Sequence, residues 1–361
     1  MIESNPVFKL RNLPFLALRK VFENLGPVEL LQFSMVSAAY RRMIISLRCH
    51  CLNNGYIGIN HSSRMCHFEI WPTRGGPFCD FGHLKFREFE DRKLKKYETR
   101  SSFTLNGVKV ILIFSSKNTD GTLYIPNKTD QVLSVMEYFV ETFGCVYYKI
   151  DVNLAYGNYW ECGPLVEAVE FKTMSFHDCG PVSLRRPSNE ELYKVLKNLK
   201  VSKKLEFEYI PKESGFKFLP LFQSEIEKIV LYGDGFVTGE MMLSMKAHEI
   251  DICECLVTTE DIMVFITRWF NSKDRKFKKL ELSGKAIGPL DLTAFNATKF
   301  EPKKREMVEE EDWNTMEWEV GYDIKRADGL VGSVFQEETR FEFLVWHKKF
   351  IDKKFTDRKR F

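Results

Sequence analysis

Residues 13–40 of the chain read LPFLALRKVFENLGPVELLQFSMVSAAY. Leu18, Val21 and Phe22 follow at the spacing that places side chains on one face of an α-helix. The pair Gly26-Pro27 separates this helix from the next, because proline lacks an N–H and fits the first turn of a helix. The pattern therefore predicts consecutive short helices at this end of the chain.

A third short helix is predicted over Ala38–Leu47, where the hydroxyl of Ser37 is placed to cap its first turn. Three helices of this length cannot bury all of their own aliphatic and aromatic side chains. We therefore expect part of their apolar surface to pack against another part of the chain or against a partner protein.

The composition excludes several classes of protein. Of 361 residues, 44% are hydrophobic and 14% are aromatic, which excludes intrinsic disorder for the chain as a whole. The 53 basic and 50 acidic residues give a net charge of only +3, which argues against a nucleic acid or an anionic membrane as partner. We therefore expect a target that is a protein.

The cellular location is predicted from the pattern of apolar runs, the start of the sequence and the cysteines. The apolar runs are too short to span a membrane, and residues 1–20 do not follow the pattern of a signal peptide. The nine cysteines show no framework spacing, which is typical of reduced thiols. We expect a cytoplasmic and/or nuclear location.

The region 55–126 is predicted to be rich in β-strands. Asn106-Gly107, between Ser102–Leu105 and Val108–Phe114, is the strongest hairpin signal in the chain. The charged segment Lys85–Arg100 is expected to form an exposed helix or loop.

Helix–strand units recur over residues 127–300. Helices are predicted over Asp130–Phe143, Asn189–Leu199, Gly239–Lys246 and Thr259–Asn271. Strands are predicted around Ile150, Met174, Leu205, Ile229, Ile250 and Leu280. The fold class is therefore α/β, and the repetition resembles an irregular leucine-rich-repeat-like solenoid flanked by β-hairpins.

Polar residues alternate with the apolar residues of these strands and are expected on the outer face. Their mixed charge suits recognition of a protein by electrostatic complementarity. The predicted target-binding residues are Lys149, Asp151, His177, Glu206, Glu208, Asp251 and Glu281.

The helical segment at the start of the chain resembles the F-box, the module by which substrate receptors attach to the Skp-type adaptor of cullin-based ubiquitin ligases. The resemblance covers residues 8–52 and departs from the family pattern at Ser37–Tyr40, where a Cys-Lys-x-Trp-like segment is usual. It implies that ten residues face the adaptor or support that face: Leu13, Pro14, Leu18, Val21, Phe22, Leu25, Pro27, Leu30, Leu31 and Val36.

The other end of the chain, residues 322–329 with Phe341–Trp346, resembles the closing segment of the F-box-associated, type 2 domain of nematode F-box receptors. Together the two resemblances imply a non-catalytic receptor subunit without a cofactor, which binds a Skp-type adaptor and an unknown target protein. The implied layout is an F-box at 8–52, a β-rich flank at 55–126, a solenoid at 127–300, closing hairpins at 313–347 and a basic tail at 348–361.

Two alternatives remain open: a repeat scaffold without a role in ubiquitylation, and a zinc module or zinc-dependent enzyme. The second depends on a concentration of cysteine and histidine, which lacks the paired C-x2-C spacing of structural zinc sites. These residues are Cys49, His50, Cys51, His61, Cys66, His67, Cys79 and His83. Neither a G-x-S-x-G motif nor a phosphate-binding loop occurs.

Overall fold

The computed structural model describes residues 12–47, 56–62, 65–71, 84–88, 98–115, 121–125, 129–153, 169–177, 188, 190, 193, 197, 200–208, 225–232, 237–284, 286–301 and 320–347. The chain divides into two compact units, Met1–Val201 and Ser202–Phe361. Both units contain helices and β-strands, so the α/β class predicted from the sequence is confirmed.

The first unit begins with the three predicted helices, α1 (Phe15–Glu23), α2 (Pro27–Val36) and α3 (Ala38–Leu47). Proline occupies the first position of α2, as its missing N–H favours. The backbone N–H of Tyr40 donates to the hydroxyl of Ser37 over 3.2 Å, so the predicted cap of α3 is confirmed.

Eight strands and a fourth helix follow in the described part of the first unit. They are β1 (Tyr56–Ser62), β2 (Met65–Trp71), β3 (Leu84–Glu88), β4 (Glu98–Leu105), β5 (Val108–Ser115), β6 (Gly121–Ile125), α4 (Thr129–Phe143), β7 (Val146–Asn153) and β8 (Phe171–His177). The strand order is β8-β7-β1-β2-β3-β6-β5-β4. Strands β8, β7 and β1 are parallel, whereas β4 and β5 form the predicted antiparallel hairpin.

The segment Lys85–Arg100 corrects one prediction. Its described ends form most of β3 and the start of β4, whereas a helix or loop was expected; residues 89–97 lie outside the described part. Charged residues in β3 alternate with Leu84 and Phe86, and this two-residue period is that of a strand. The many charged residues of this segment favoured an exposed helix or loop, although the apolar residues alternate as in a strand.

In its described part, the second unit contains two α-helices, a short 3-10 helix (Thr293–Phe295) and further strands. The α-helices and strands are β9 (Val201–Phe207), β10 (Lys228–Tyr232), α5 (Gly239–Ser244), β11 (Glu249–Cys253), α6 (Thr259–Asn271), β12 (Lys279–Ser283), β13 (Thr298–Lys299), β14 (Tyr322–Lys325), β15 (Val331–Gln336) and β16 (Arg340–Trp346). The strand order is β13-β14-β15-β16-β12-β11-β10-β9.

Strands β9 to β12 are parallel, and their register follows the alignment read from the sequence. Leu205, Ile229, Ile250 and Leu280 are direct partners across the four strands, and all four are buried. The predicted closing hairpins continue the same sheet, because β16 pairs with β12 in antiparallel orientation.

Helix α6 covers one face of this sheet. Its capping box is formed by Thr258 and Asp261, and Trp269 packs edge-to-face on Phe343 of β16 with ring centroids 4.8 Å apart. Because neighbouring residues of a strand point to opposite faces, the residues beside Leu205, Ile250 and Leu280 lie on the other face. That other face therefore carries Glu206, Asp251 and Glu281, three of the residues that the sequence predicted to bind a target.

Several predictions fall on segments that the structure does not describe. They concern most of the helix Asn189–Leu199, the charged loop Lys303–Asp312 and the basic tail 348–361. Among the helices in the described ranges, none is both long enough and apolar enough to cross a membrane.

Candidate functional site

The inner side of the three-helix module is a closed apolar core. Four of the ten residues predicted for the adaptor face lie in it, with exposed fractions of 4% or less: Leu18, Phe22, Leu30 and Leu31. The ring of Phe22 packs edge-to-face on Phe33, with centroids 6.0 Å apart. These four residues fix the shape of the module and have no surface to offer to a partner.

The outer side of the module exposes large apolar side chains at two places. At the start of α1, Phe15 is 58% exposed and Leu16 is 72% exposed, next to the exposed Pro14; at the end of α2, Val36 is 68% exposed. Of the other predicted residues, Leu13, Val21 and Leu25 are half-buried, and the side chain of Pro27 lies outside the described part.

Sequence reasoning did not select Phe15 and Leu16. A signal was present for Leu16, which lies outside the helical stripe of Leu18, Val21 and Phe22. Phe15 lies on that stripe, three residues before Leu18 and seven before Phe22, but is exposed as the first residue of α1. Apolar residues on the outer face of a helix are candidates for contact with another protein. Pro14, Phe15, Leu16 and Val36 are called the exposed apolar residues of the module below.

Helix α4 covers part of the apolar surface that three helices cannot bury alone. At the centre of this contact, the buried hydroxyl of Tyr138 donates to the hydroxyl of Ser34 on α2 over 2.8 Å. The Ser34 hydroxyl in turn donates to the backbone carbonyl of Leu31 over 2.6 Å. Each of the two buried hydroxyl groups therefore has a partner, as burial of polar groups requires.

Arg41 of α3 connects the same two parts of the unit. Its Nε donates to the hydroxyl of Thr142 over 2.9 Å, and its guanidinium pairs with Glu141, also at 2.9 Å. The guanidinium carbon lies 4.3 Å from the ring centroid of Tyr138, within the range of a cation–π contact. Helices α1–α3 are thus joined to α4 by hydrogen bonds between residues about one hundred positions apart.

Replacing Tyr138 with Phe is expected to lower the free energy of unfolding by about 1 kcal/mol, because Ser34 then loses a buried hydrogen-bond partner. Urea unfolding followed by circular dichroism measures the loss. Tyr40→Phe is the matched control, since no hydrogen bond of the Tyr40 hydroxyl occurs in the described part of the chain. Equal stability of the two variants would contradict the role given to the Tyr138 hydroxyl.

The predicted target-binding residues are divided between the two units. On β7 of the first unit, Lys149 and Asp151 pair with each other at 3.0 Å, and His177 lies half-buried at the end of β8. In the second unit, Glu206, Asp251 and Glu281 occupy one row across the sheet, because their strands pair in register with Val230 between the first two. Glu208 is exposed just after β9.

The acidic groups of this row differ in their electrostatic surroundings. Burial by itself would raise the pKa of Glu281, but a hydrogen bond from Lys279 and the positive charges of Lys279 and Arg340 hold it below its usual value. Burial raises the pKa of Asp251, and the negative charge of Glu281 raises it further. In this row, nearby cations thus lower the pKa of Glu281, whereas the pKa of Asp251 is raised.

The hairpin that resembles the F-box-associated domain contains a buried arginine. The Arg326 guanidinium donates to both carboxylate oxygens of Asp328, at 3.1 and 2.6 Å, and to the backbone carbonyl of Asp274 at 2.8 Å. It also donates to the Ser272 hydroxyl at 3.1 Å and lies 5.2 Å from the ring centroid of Trp269. Arg326 therefore connects the β14–β15 turn to the end of α6, which is a structural role.

The cysteine- and histidine-rich segment is only partly described. His61, Cys66 and His67 lie on the β1–β2 hairpin, whereas the other five predicted zinc ligands fall outside the described residues. Within the described ranges, no three Cys, His, Asp or Glu side chains come close enough together to hold a metal ion. The zinc alternative stays a prediction.

Comparisons with known proteins identify the helical module. A family model, the F-box domain, matches residues 10–52. An uncharacterized protein of Caenorhabditis elegans, F59B2.9, is 22% identical over 192 residues, which cover 51% of this chain and 44% of that protein. No solved structure matches the chain. The chain therefore contains an F-box domain, formed in the structure by helices α1, α2 and α3.

Proposed function

We propose that the protein is the substrate-recognition subunit of a cullin-based ubiquitin ligase of the SCF type. The F-box match carries this proposal, because an F-box implies binding to a Skp-type adaptor and, through it, to a cullin scaffold. The exposed apolar residues of the module support it, since the fold leaves them without a covering partner among the described residues. Contact with an adaptor would remove them from water.

The remainder of the chain is proposed to hold the target protein. The leucine-rich-repeat-like solenoid and the type 2 F-box-associated domain belong to this proposal, and the parallel strands β9–β12 with their aligned apolar row support it. The charged sheet face is the proposed target-binding surface. Such a receptor needs no catalytic group, because holding the target near the ligase raises the effective concentration of its lysines. Cytoplasm and nucleus are the proposed locations.

Co-purification with a Skp-type adaptor tests the proposal. The double variant Leu13→Ala, Pro14→Ala is expected to lower adaptor binding about tenfold, since one half-buried and one exposed apolar residue at the start of α1 are removed. The dissociation constant is measured by isothermal titration calorimetry. An intact chain that binds no Skp-type adaptor would contradict the proposed function and favour a repeat scaffold without a role in ubiquitylation.

A further inference from the structure

We propose that Tyr232 and Asp251, on the charged face of the second unit, form a binding site for a lysine or arginine side chain of a target protein. This inference names the partner chemistry of the proposed target-binding surface and rests on that role. Its test, however, requires neither adaptor nor ligase.

A repeated ion pair makes Asp251 an exception. On β7 of the first unit and on β9 and β12 of the second unit, a lysine pairs with the acidic residue two positions later: Lys149 with Asp151 at 3.0 Å, Lys204 with Glu206 at 2.9 Å and Lys279 with Glu281 at 2.8 Å.

On β11 the corresponding position before Asp251 holds an acid, Glu249, which itself pairs with Lys278 at 3.4 Å. Among the described residues, no lysine or arginine lies within ion-pair distance of the Asp251 carboxylate. Its carboxylate accepts a long hydrogen bond from the thiol of Cys253, over 4.0 Å. Asp251 is therefore an acid of the row without a cation.

Two of the cations near Asp251, Lys279 and Arg340, are already paired with other carboxylates. Lys279 contacts both Glu281, at 2.8 Å, and Glu342, at 3.0 Å, and Arg340 also contacts Glu281. Lys228 lies diagonally across from Asp251, but its attraction is weaker than the repulsion from Glu281. The neighbour on β10 is Val230, which is 2% exposed and offers no charge. A partly buried carboxylate is thus left without an ion-pair partner, and the more distant charges of Lys228, Lys279 and Arg340 do not offset burial and Glu281, which costs stability.

Tyr232 supplies a second, independent feature of the site. It lies on the same face as Asp251, two residue pairs further along β10 and β11, and is 38% exposed. In the described part of the chain, its hydroxyl makes no hydrogen bond. Burial raises the pKa of Tyr232 to about 12, with further increases from Asp251 and Glu206. The phenol therefore stays neutral and lies in a negative potential.

An aromatic ring beside a carboxylate that has no ion-pair partner is the combination that binds an ammonium or guanidinium group. The carboxylate accepts charge-assisted hydrogen bonds from the cation, and the face of the ring attracts it through a cation–π interaction. A hard metal ion requires more oxygen ligands than this site has. A basic side chain of a protein needs only these two groups, and tyrosine is among the residues that dominate the binding energy of protein interfaces.

Fluorescence anisotropy with the full chain tests the site. The probe is a labelled eight-residue peptide of alternating serine and lysine, compared with peptides in which glutamine or glutamate replaces lysine. We expect the lysine peptide to bind most tightly. Asp251→Asn is expected to weaken its binding about tenfold and Tyr232→Leu about threefold. Glu240→Gln, which removes the same charge from an exposed position on α5, is expected to bind like the unaltered chain.

Thermal unfolding shows whether these variants are folded, and Asp251→Asn is expected to unfold at the same temperature as the unaltered chain or higher. Three results would overturn the proposal: no binding of the lysine peptide, equal binding of the lysine and glutamine peptides, or unchanged affinity in Asp251→Asn. If the unaltered chain bound the lysine peptide but no Skp-type adaptor, only the ligase role would be refuted. If the unaltered chain bound the adaptor but not the lysine peptide, only the site at Tyr232 and Asp251 would be refuted.

Discussion

Replacing Leu16 with aspartate is expected to lower the affinity for a Skp-type adaptor at least about 100-fold, which corresponds to about 2.7 kcal/mol. Leu16 is 72% exposed at the start of α1, so the change leaves the core of the module intact. In a complex, the new carboxylate would have to give up its water in an apolar contact, at a cost that exceeds the lost apolar burial. Titration calorimetry with the purified adaptor measures the effect.

Leu256→Asp provides the matched control for this experiment. Leu256 is also an exposed leucine, at 42%, but it lies in the second unit and far along the chain from the F-box domain. The same chemical change there is expected to leave adaptor affinity unaltered. Adaptor binding by Leu16→Asp at the strength of the unaltered chain would exclude the exposed apolar residues of α1 from the interface.

Replacing Arg326 with leucine is expected to lower the free energy of unfolding of the second unit by about 3 kcal/mol, because buried hydrogen-bond acceptors lose their donor. The Arg326 side chain is 2% exposed and donates to Asp328, Asp274 and Ser272 at once. Arg326→Lys is expected to recover only part of the loss, since an ammonium group cannot reproduce the planar arrangement of donors. Urea unfolding measures both variants.

Arg275→Leu is the control for charge removal near the same carboxylate. Arg275 approaches Asp328 at 3.5 Å, but its side chain is 73% exposed, so the change is expected to cost less than about 0.5 kcal/mol. If Arg326→Leu and Arg275→Leu were equally stable, the connection between the β14–β15 turn and α6 would contribute nothing to folding.

The same contact makes stability depend on pH. The hydrogen bond from Arg326 holds the pKa of Asp328 well below its usual range. A carboxylate whose pKa is lower in the folded state stabilises that state above the unfolded pKa, near 3.9, and the stabilisation is lost as the pH falls below it. The urea concentration at the midpoint of unfolding of the unaltered chain is therefore expected to decrease as the pH is lowered from about 4 to about 2. Arg326→Leu is expected to show a smaller fall, and an identical fall would contradict this cause.

Much of the secondary structure could be predicted because it depends on neighbours in the sequence. The helical spacing of Leu18, Val21 and Phe22 determined α1, and the left-handed turn that Asn106-Gly107 accommodates determined the β4–β5 hairpin. The pairing of Leu205 with Ile229 could be predicted from the sequence, since a shift of one residue would turn the apolar side chains away from the core.

Burial and pairing could not be predicted in this way, because they depend on residues far away in the chain. Helical spacing places Phe15 on the same stripe as Leu18 and Phe22, and only the packed helices leave Phe15 58% exposed while the other two are buried. The contact of Ser34 with Tyr138 joins positions 104 residues apart.

The sequence by itself therefore determined the helices, the hairpins, the order of the aligned strands and the presence of an F-box. Only the tertiary structure decided which apolar side chains stay exposed, that Arg326 is buried, and that Asp251 has no ion-pair partner among the described residues. The physical reason is that local periodicity follows from the geometry of the backbone. Solvation and charge compensation, in contrast, follow from which distant groups the fold brings within a few ångströms of each other.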